Sequence, residues 1–130
     1  MKFLHYGKDG GPMSTVHGFW FVEIKSLFSI ALLRFGDGSR DSFHNHAFNS
    51  YSWVLTGQLQ EQNLHGKNKN YRPSWKPIPT YRSTFHRVVS KGVSWVFTVR
   101  GPWSKTWREY HPASKSFTTL SNGRRVVAED

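Results

Sequence analysis

Imidazoles are the residues in this chain whose type and spacing can do chemistry. Seven histidines stand at positions 5, 17, 44, 46, 65, 86 and 111. One pair has a telling spacing, His44-Asn45-His46. Side chains two apart on a β-strand point to one face, so a single strand can present two imidazoles to one point. Neutral imidazole is a common ligand for zinc, iron, copper and nickel. A third ligand must then come from elsewhere in the chain. His5, His17, His65 and His111 fall in loops or near the ends and read as ordinary surface residues.

The elements that must carry these residues are strands. No window of eleven or more residues shows a helical apolar stripe, and short β-rich runs are separated by Gly, Pro, Asn and Asp. The pattern predicts strands over Phe19–Lys25, Phe28–Phe35, Ser42–Ala47, Ser50–Leu55, Gln58–Leu64, Arg82–Val89, Ser94–Arg100, Thr106–Tyr110 and Phe117–Leu120. Turn signals fall between them at Gly36-Asp37-Gly38, Thr56-Gly57, Lys91-Gly92 and Ser121-Asn122-Gly123. Many short strands so spaced point to a sandwich or barrel. Residues 7–14 read as a flexible loop, and residues 66–79, with three Pro and four Lys or Arg, as an irregular crossing loop.

Composition bounds the rest. The 130 residues suffice for one domain. Ten Phe, six Trp and five Tyr can fill a core and exclude a largely disordered chain. No apolar run approaches the ~20 residues of a membrane span. The N-terminus lacks the apolar stretch of a signal peptide, and there is no Cys; both fit a cytoplasmic location. The absence of Cys also excludes a thiolate metal site and a Cys nucleophile. The formal charge of +10 favours anionic partners, although the basic residues are dispersed rather than blocked.

Residues 38–46, Gly-Ser-Arg-Asp-Ser-Phe-His-Asn-His, followed by Gly57, resemble the first motif of the cupin superfamily. That motif has a Gly, five residues, His-x-His, a Glu, and a closing Gly at a hairpin turn. His86, in Arg82-Ser-Thr-Phe-His86-Arg-Val-Val, is similar to the ligand His of the second motif. The resemblance spans about residues 28–100. Arg100-Gly-Pro-Trp103 and Trp107-Arg-Glu-Tyr110 also resemble small cupin-like proteins of bacteriophages, which would place the chain in a host cytoplasm. The resemblance implies an all-β fold, a cupin-type jelly-roll (double-stranded β-helix) barrel in a single domain over 1–130. Residues 1–18 would be an N-terminal arm, 28–100 the barrel core and 101–130 C-terminal strands. It also implies that His44, His46 and His86 bind one divalent metal ion, Fe(II), Zn, Mn or Ni. The motif's Glu falls on Ser50, so the family's four-ligand set is reduced to three His, as in the thiol dioxygenases. No Glu or Asp base is visible at a definable position.

Parity along the strands then proposes a pocket. With His86 inward, Arg82, Thr84 and Val88 share its face. With Ser50 in the motif position, Ser52 and Val54 point inward too. On the last barrel strand Val96, Thr98 and Arg100 share one face and Trp95, Phe97 and Val99 the other, and parity does not say which is inner. Ser50 or Thr84 would hydrogen-bond a metal-bound water, and Arg82 or Arg100 would read a carboxylate or phosphate. The opposite faces are apolar: Phe43 and Ala47; Tyr51, Trp53 and Leu55; Phe85 and Val89. Such a patch predicts a homodimer. The function that follows is a metal-binding cupin that binds or acts on a small anionic molecule or nucleotide. With iron it would resemble a three-His non-haem dioxygenase; with zinc it would activate water for hydrolysis. A non-catalytic phage accessory or ligand-sequestering protein is the alternative. Weak, non-specific nucleic-acid binding through Lys67–Lys76, with Tyr71 and Trp75 interleaved, is the third reading.

Overall fold

The structure is a computed structural model that describes residues 2–9, 14–38, 43–64, 66–121 and 125–129. All of its regular elements are strands: β1 (Lys2–Lys8), β2 (Val16–Ile24), β3 (Phe28–Phe35), β4 (Phe43–His44), β5 (Ser50–Thr56), β6 (Leu59–Asn63), β7 (Asn68–Tyr71), β8 (Ile78–Thr80), β9 (His86–Ser90), β10 (Ser94–Arg100), β11 (Thr106–His111), β12 (Ser116–Ser121) and β13 (Arg125–Glu129). They form two antiparallel sheets, in the orders β1-β2-β3-β10-β5-β8 and β13-β12-β11-β4-β9-β6-β7. This is the all-β jelly roll that the sequence predicts. No helix among the described residues is long and apolar enough to cross a membrane.

The inward faces follow the period of two. On β10, Ser94, Val96, Thr98 and Arg100 are buried while the residues between them are half-buried. Val96 pairs with Leu33 of β3 and Val54 of β5, Thr98 with Ala31 and Ser52, and Arg100 with Ser29 and Ser50. Each inward row therefore runs from apolar to polar. The apolar end is the core: Trp20, Ala31, Leu33, Val54, Leu59 and Val96, with Val16, Phe35, Tyr71, Ile78 and Val88 packed against it. The polar end carries Arg100, Ser50 and His86. Gly18 makes room for this core, since a Cβ there would sit 2.6 Å from the Trp20 ring.

Several elements differ from the sequence expectation. The N-terminal arm is not loose: β1 pairs with β2 from Lys2↔Glu23 to Lys8↔His17. Gly7 and Lys8 are thus strand residues, and Asp9 continues the pairing through its N–H to the Val16 carbonyl (2.9 Å). The rest of the expected 7–14 loop, residues 10–13, lies outside the described residues. The 66–79 segment contains β7, paired with β6, and β8, paired with β5 through Ser52↔Ile78. Pro79 is tolerated because β8 is an edge strand, and Pro73 and Pro77 fall between β7 and β8. Tyr71 packs on the core rather than offering a free stacking face, whereas Trp75 is 96% exposed. Of the expected strand over 42–47, the ladder holds only Phe43–His44, and Ser42 is outside the described residues. Ala47 consequently turns inward and is buried.

The outer face of the six-stranded sheet is aromatic, as expected for Tyr51, Trp53 and Leu55. Tyr51 and Leu55 are exposed, and Trp53 packs on Phe97 at 5.9 Å. The row continues through Trp95, Phe19 and Tyr6, with ring separations of 6.1 and 4.6 Å. Phe43 and Phe85 are instead covered within the chain, by the Arg87 guanidinium (4.7 Å) and the Phe117 ring (5.8 Å).

Gly57 closes the β5–β6 hairpin at φ +93°, and a Cβ there would lie 2.7 Å from the Cα of Ser94. The Ser94 hydroxyl occupies that space and accepts the Gln58 N–H at 3.1 Å. Gly57→Ala is expected to cost roughly 2–4 kcal/mol of folding free energy, from left-handed strain plus overpacking. Gly66 has a similar φ of +86° but open space around it, so Gly66→Ala should cost less. Urea denaturation of the two variants checks this; equal losses would mean that the Ser94 contact is irrelevant.

Candidate metal centre

The three histidines converge. His44 ends β4, His46 lies two residues on, and His86 begins β9, directly across the ladder from His44. Their ring centroids form a nearly equilateral triangle: 4.9 Å between His44 and His46, 5.1 Å between His44 and His86, and 4.9 Å between His46 and His86. One ring nitrogen from each lies within 4.8 Å of the others. His86 is 4% exposed and the other two are half-buried.

The local route differs from a plain His-x-His strand. The Asn45 N–H donates to the Arg108 carbonyl (3.0 Å), and the Asn45 Oδ1 accepts the Arg108 N–H (2.6 Å). A side chain thus completes the pairing with β11, and the backbone leaves the ladder after His44. His46 is then held by stacking: its ring lies on Phe48 at 5.2 Å and 17°, and Phe48 packs on Trp103 at 5.2 Å.

Two carboxylates missed at the level of sequence adjoin the cluster. His86 Nδ1–H donates to Glu61 Oε2 at 2.8 Å. That hydrogen bond from His86 is the main reason the Glu61 carboxyl is held below its ordinary range, against the opposing effect of burial and with the charge of Lys69 assisting. With its proton on Nδ1, His86 keeps the lone pair on Nε2. Nε2 is buried and has no hydrogen-bond partner among the described residues. A buried acceptor left in that state is costly, and a cation is the ligand it suits. Glu109, also buried, is the register partner of His44 on β11. The signal for Glu61 was its parity with the apolar Leu59 on β6; Glu109 gave none before β4 was placed. Burial, and after it the Glu61 carboxylate, pushes the Tyr71 hydroxyl above its usual range, so it stays a neutral donor.

The cluster opens on a cavity of about 390 Å³. Ser50, Ser52, Val54 and Val88 line it, and Val96, Thr98 and Arg100 line it from the face of β10 that parity leaves undecided between inner and outer. Ser52 Oγ donates to Thr98 Oγ1 at 2.9 Å. Arg82 and Thr84 do not line it. β9 starts only at His86, and residues before it form a turn closed by the Thr84 N–H on the Tyr81 carbonyl (3.0 Å). Alternation therefore does not run back from His86. Arg82 is exposed, and its backbone N–H donates to Asn49 Oδ1 at 2.8 Å. Ser50 occupies the motif position without joining the metal-capable group, which is three histidines among the described residues. His5 lines the cavity, contrary to a plain surface role; His17 stacks on Tyr6 at 5.8 Å, and His111 meets Thr118 Oγ1 at 3.2 Å. His65 lies outside the described residues.

Comparison of the fold with solved structures decides its class. A sugar phosphate isomerase from a cupin superfamily of Silicibacter pomeroyi superposes with a TM-score of 0.61 and 12% identity, over 89% of this chain and 76% of that one. The chain has the cupin fold. The polyketide cyclase RemF from Streptomyces resistomycificus superposes on this chain at a TM-score of 0.63 and 15% identity, over 78% of this chain and 79% of its own. An RmlC-like cupin from Ralstonia eutropha gives 0.59 and 13%, over 97% of this chain and 73% of that one. No protein-family profile and no curated protein sequence matches the chain.

If Glu61 fixes the tautomer of a ligand, Glu61→Ala should weaken metal uptake roughly tenfold to a hundredfold. Glu61→Gln, which keeps an acceptor for Nδ1–H, should recover part of that loss. Titration against a competing chelator reads both; an Ala variant with wild-type affinity would remove Glu61 from the site.

Proposed function

We infer that this cupin holds one divalent metal ion on His44, His46 and His86 and binds or acts on a small anionic molecule in the cavity beside it. The observation that carries the reading is the convergence of three imidazoles within 4.8 Å, one of them oriented by a half-buried carboxylate. Neutral imidazoles suit Fe(II), Zn(II), Mn(II) and Ni(II) alike. When bound, such an ion supplies Lewis acidity, and a redox-active one also supplies access to oxygen chemistry.

The chain's own residues supply the rest. Glu61 holds the His86 proton on Nδ1. Ser50, Ser52 and Thr98 offer hydroxyls to a ligand, and the cavity of about 390 Å³ fits a small molecule rather than a polymer. Arg100 lines it while the exposed Arg82 does not, so the anion-reading role passes to Arg100. The neighbouring sugar phosphate isomerase is, by its description, a protein of small phosphorylated molecules, which agrees with an anionic ligand. The aromatic outer face of the six-stranded sheet supports a homodimer.

Protein purified without a His-tag is expected to contain close to one divalent ion per chain by elemental analysis. His86→Ala should abolish uptake, and affinity should fall as pH drops below about 6.5, where free imidazole protonates. A wild type that takes up no zinc, iron, manganese or nickel would overturn the metal reading. For the dimer, light scattering should give twice the chain mass at micromolar concentration. Tyr51→Lys, on the exposed face, should shift it to the monomer; a monomeric wild type would exclude it.

A further inference from the structure

The cavity carries buried donors without acceptors. Arg100 Nε and the indole N–H groups of Trp20 and Trp103 are buried and have no hydrogen-bond partner among the described residues. All three residues line the same cavity. Leaving such donors unpaired is costly, and three donors in one pocket call for a ligand rich in acceptors.

Arg100 is 5% exposed, and its guanidinium lies over the Phe48 ring at 4.6 Å. Phe48 in turn stacks on His46 at 5.2 Å, so Arg100 stands two ring contacts from the histidine cluster. The partner that Arg100 does have is the carboxylate of Asp9, with Nη2–Oδ2 at 2.6 Å and Nη1–Oδ1 at 3.4 Å. Asp9 follows β1, and two strands separate β1 from β10 in the sheet. The pair is therefore made across the cavity they both line, not along a ladder between neighbouring strands. A planar carboxylate already sits on the guanidinium in the bidentate manner of carboxylate and phosphate ligands.

We propose that Arg100, with the indole N–H groups of Trp20 and Trp103, is an oxyanion subsite of the cavity, and that Asp9 is its internal stand-in, which a carboxylate or phosphate ligand displaces. The proposal rests on the reading of the cavity as a site for a small anion, and it names the residues that read the charge and the residue that competes. Asp9 keeps a buried cation compensated while no ligand is bound. It also sets a threshold: a neutral molecule cannot replace it on Arg100 without leaving the charge unpaired.

The test uses the full chain labelled with 15N and follows the indole resonances of its six tryptophans. Benzoate and inorganic phosphate are the probes, and benzyl alcohol is the neutral control. Benzoate or phosphate should shift the two indole signals that disappear in Trp20→Phe and Trp103→Phe, and benzyl alcohol should leave them in place. Whichever anion acts identifies the ligand class. Arg100→Gln should weaken the response roughly tenfold to a hundredfold, and Asp9→Asn should strengthen it roughly tenfold. The proposal fails if neither anion moves those signals at millimolar concentration, or if the neutral alcohol moves them equally. It fails also if Asp9→Asn weakens binding as Arg100→Gln does, because Asp9 is then a strut for Arg100. Should either single variant unfold, the paired Asp9→Asn/Arg100→Gln variant buries no unpaired charge. It should fold and lose the response, and a retained response overturns the proposal. Repeating the titration with EDTA and with zinc separates the two readings. An anion response without metal uptake upholds the subsite and sinks the metal centre, and metal uptake without an anion response does the reverse.

Discussion

The pairing of His44 with His86 across the seven-stranded sheet is the constraint on which the site depends. β4 contributes only two residues between β11 and β9, so His44 is fixed by the ladder on both sides. A strand that simply continued would set His46 about 6.6 Å further along the same face. The three rings would then form an open right angle, with His86 across the ladder from His44 and His46 out of reach of His86. Instead the Asn45 side chain takes over the exchange with Arg108, the backbone turns away, and His46 comes to 4.9 Å from both other rings. The residue between the two histidines thus closes into a compact triangle what the ladder alone would leave as an open right angle.

That triangle needs an interior that is apolar at one end only. The rows Val96-Thr98-Arg100 and Val54-Ser52-Ser50 meet in register, so along them the apolar side chains fall at one end and the hydrogen-bonding ones at the other. Burial of Trp20, Leu33, Val54, Leu59 and Val96, at roughly 1.5–3 kcal/mol per large side chain, offsets the cost of polar groups taken out of water beyond them. The polar end is satisfied only in part, by pairs that leave some buried groups unpartnered: Glu61 with His86, Asp9 with Arg100, Ser52 with Thr98. Each pair joins residues distant in sequence, so each also fixes how separate strands sit on one another.

How much of this was legible in the sequence follows from what local pattern encodes. The strands β3, β5 and β10 could be read because the alternation is regular there, and on β5 the inward residues as well; which face of β10 is inner depended on its partners β3 and β5. The three histidines could be read because the spacing to a second motif resembles a known barrel. Three things could not. β1, β7, β8 and β13 are the edge strands of the two sheets, and being short or largely exposed they carry little of the apolar alternation that marks a half-buried strand. Glu61 became a histidine partner only once β6 was laid beside β9. Asn45 looked like the spacer of a motif, and nothing in its type announces that its amide replaces a backbone group.

The two arginines show where the parity argument holds. Arg100 is the last residue of β10, and its neighbours Ser29 and Ser50 are paired with it on both sides, so its direction is dictated by hydrogen bonds. Arg82 has the same even spacing from His86 that Arg100 has from Val96. Yet the residues between Arg82 and His86 are a turn, and no ladder carries the alternation across it. Parity is a property of paired backbone, not of sequence distance. The overall charge of +10 is equally uninformative about the cavity, since surface cations are screened by water and the buried one is matched to a single carboxylate. What the interior can recognise is therefore set by which donors the strands leave without an acceptor, not by how many cations the chain contains.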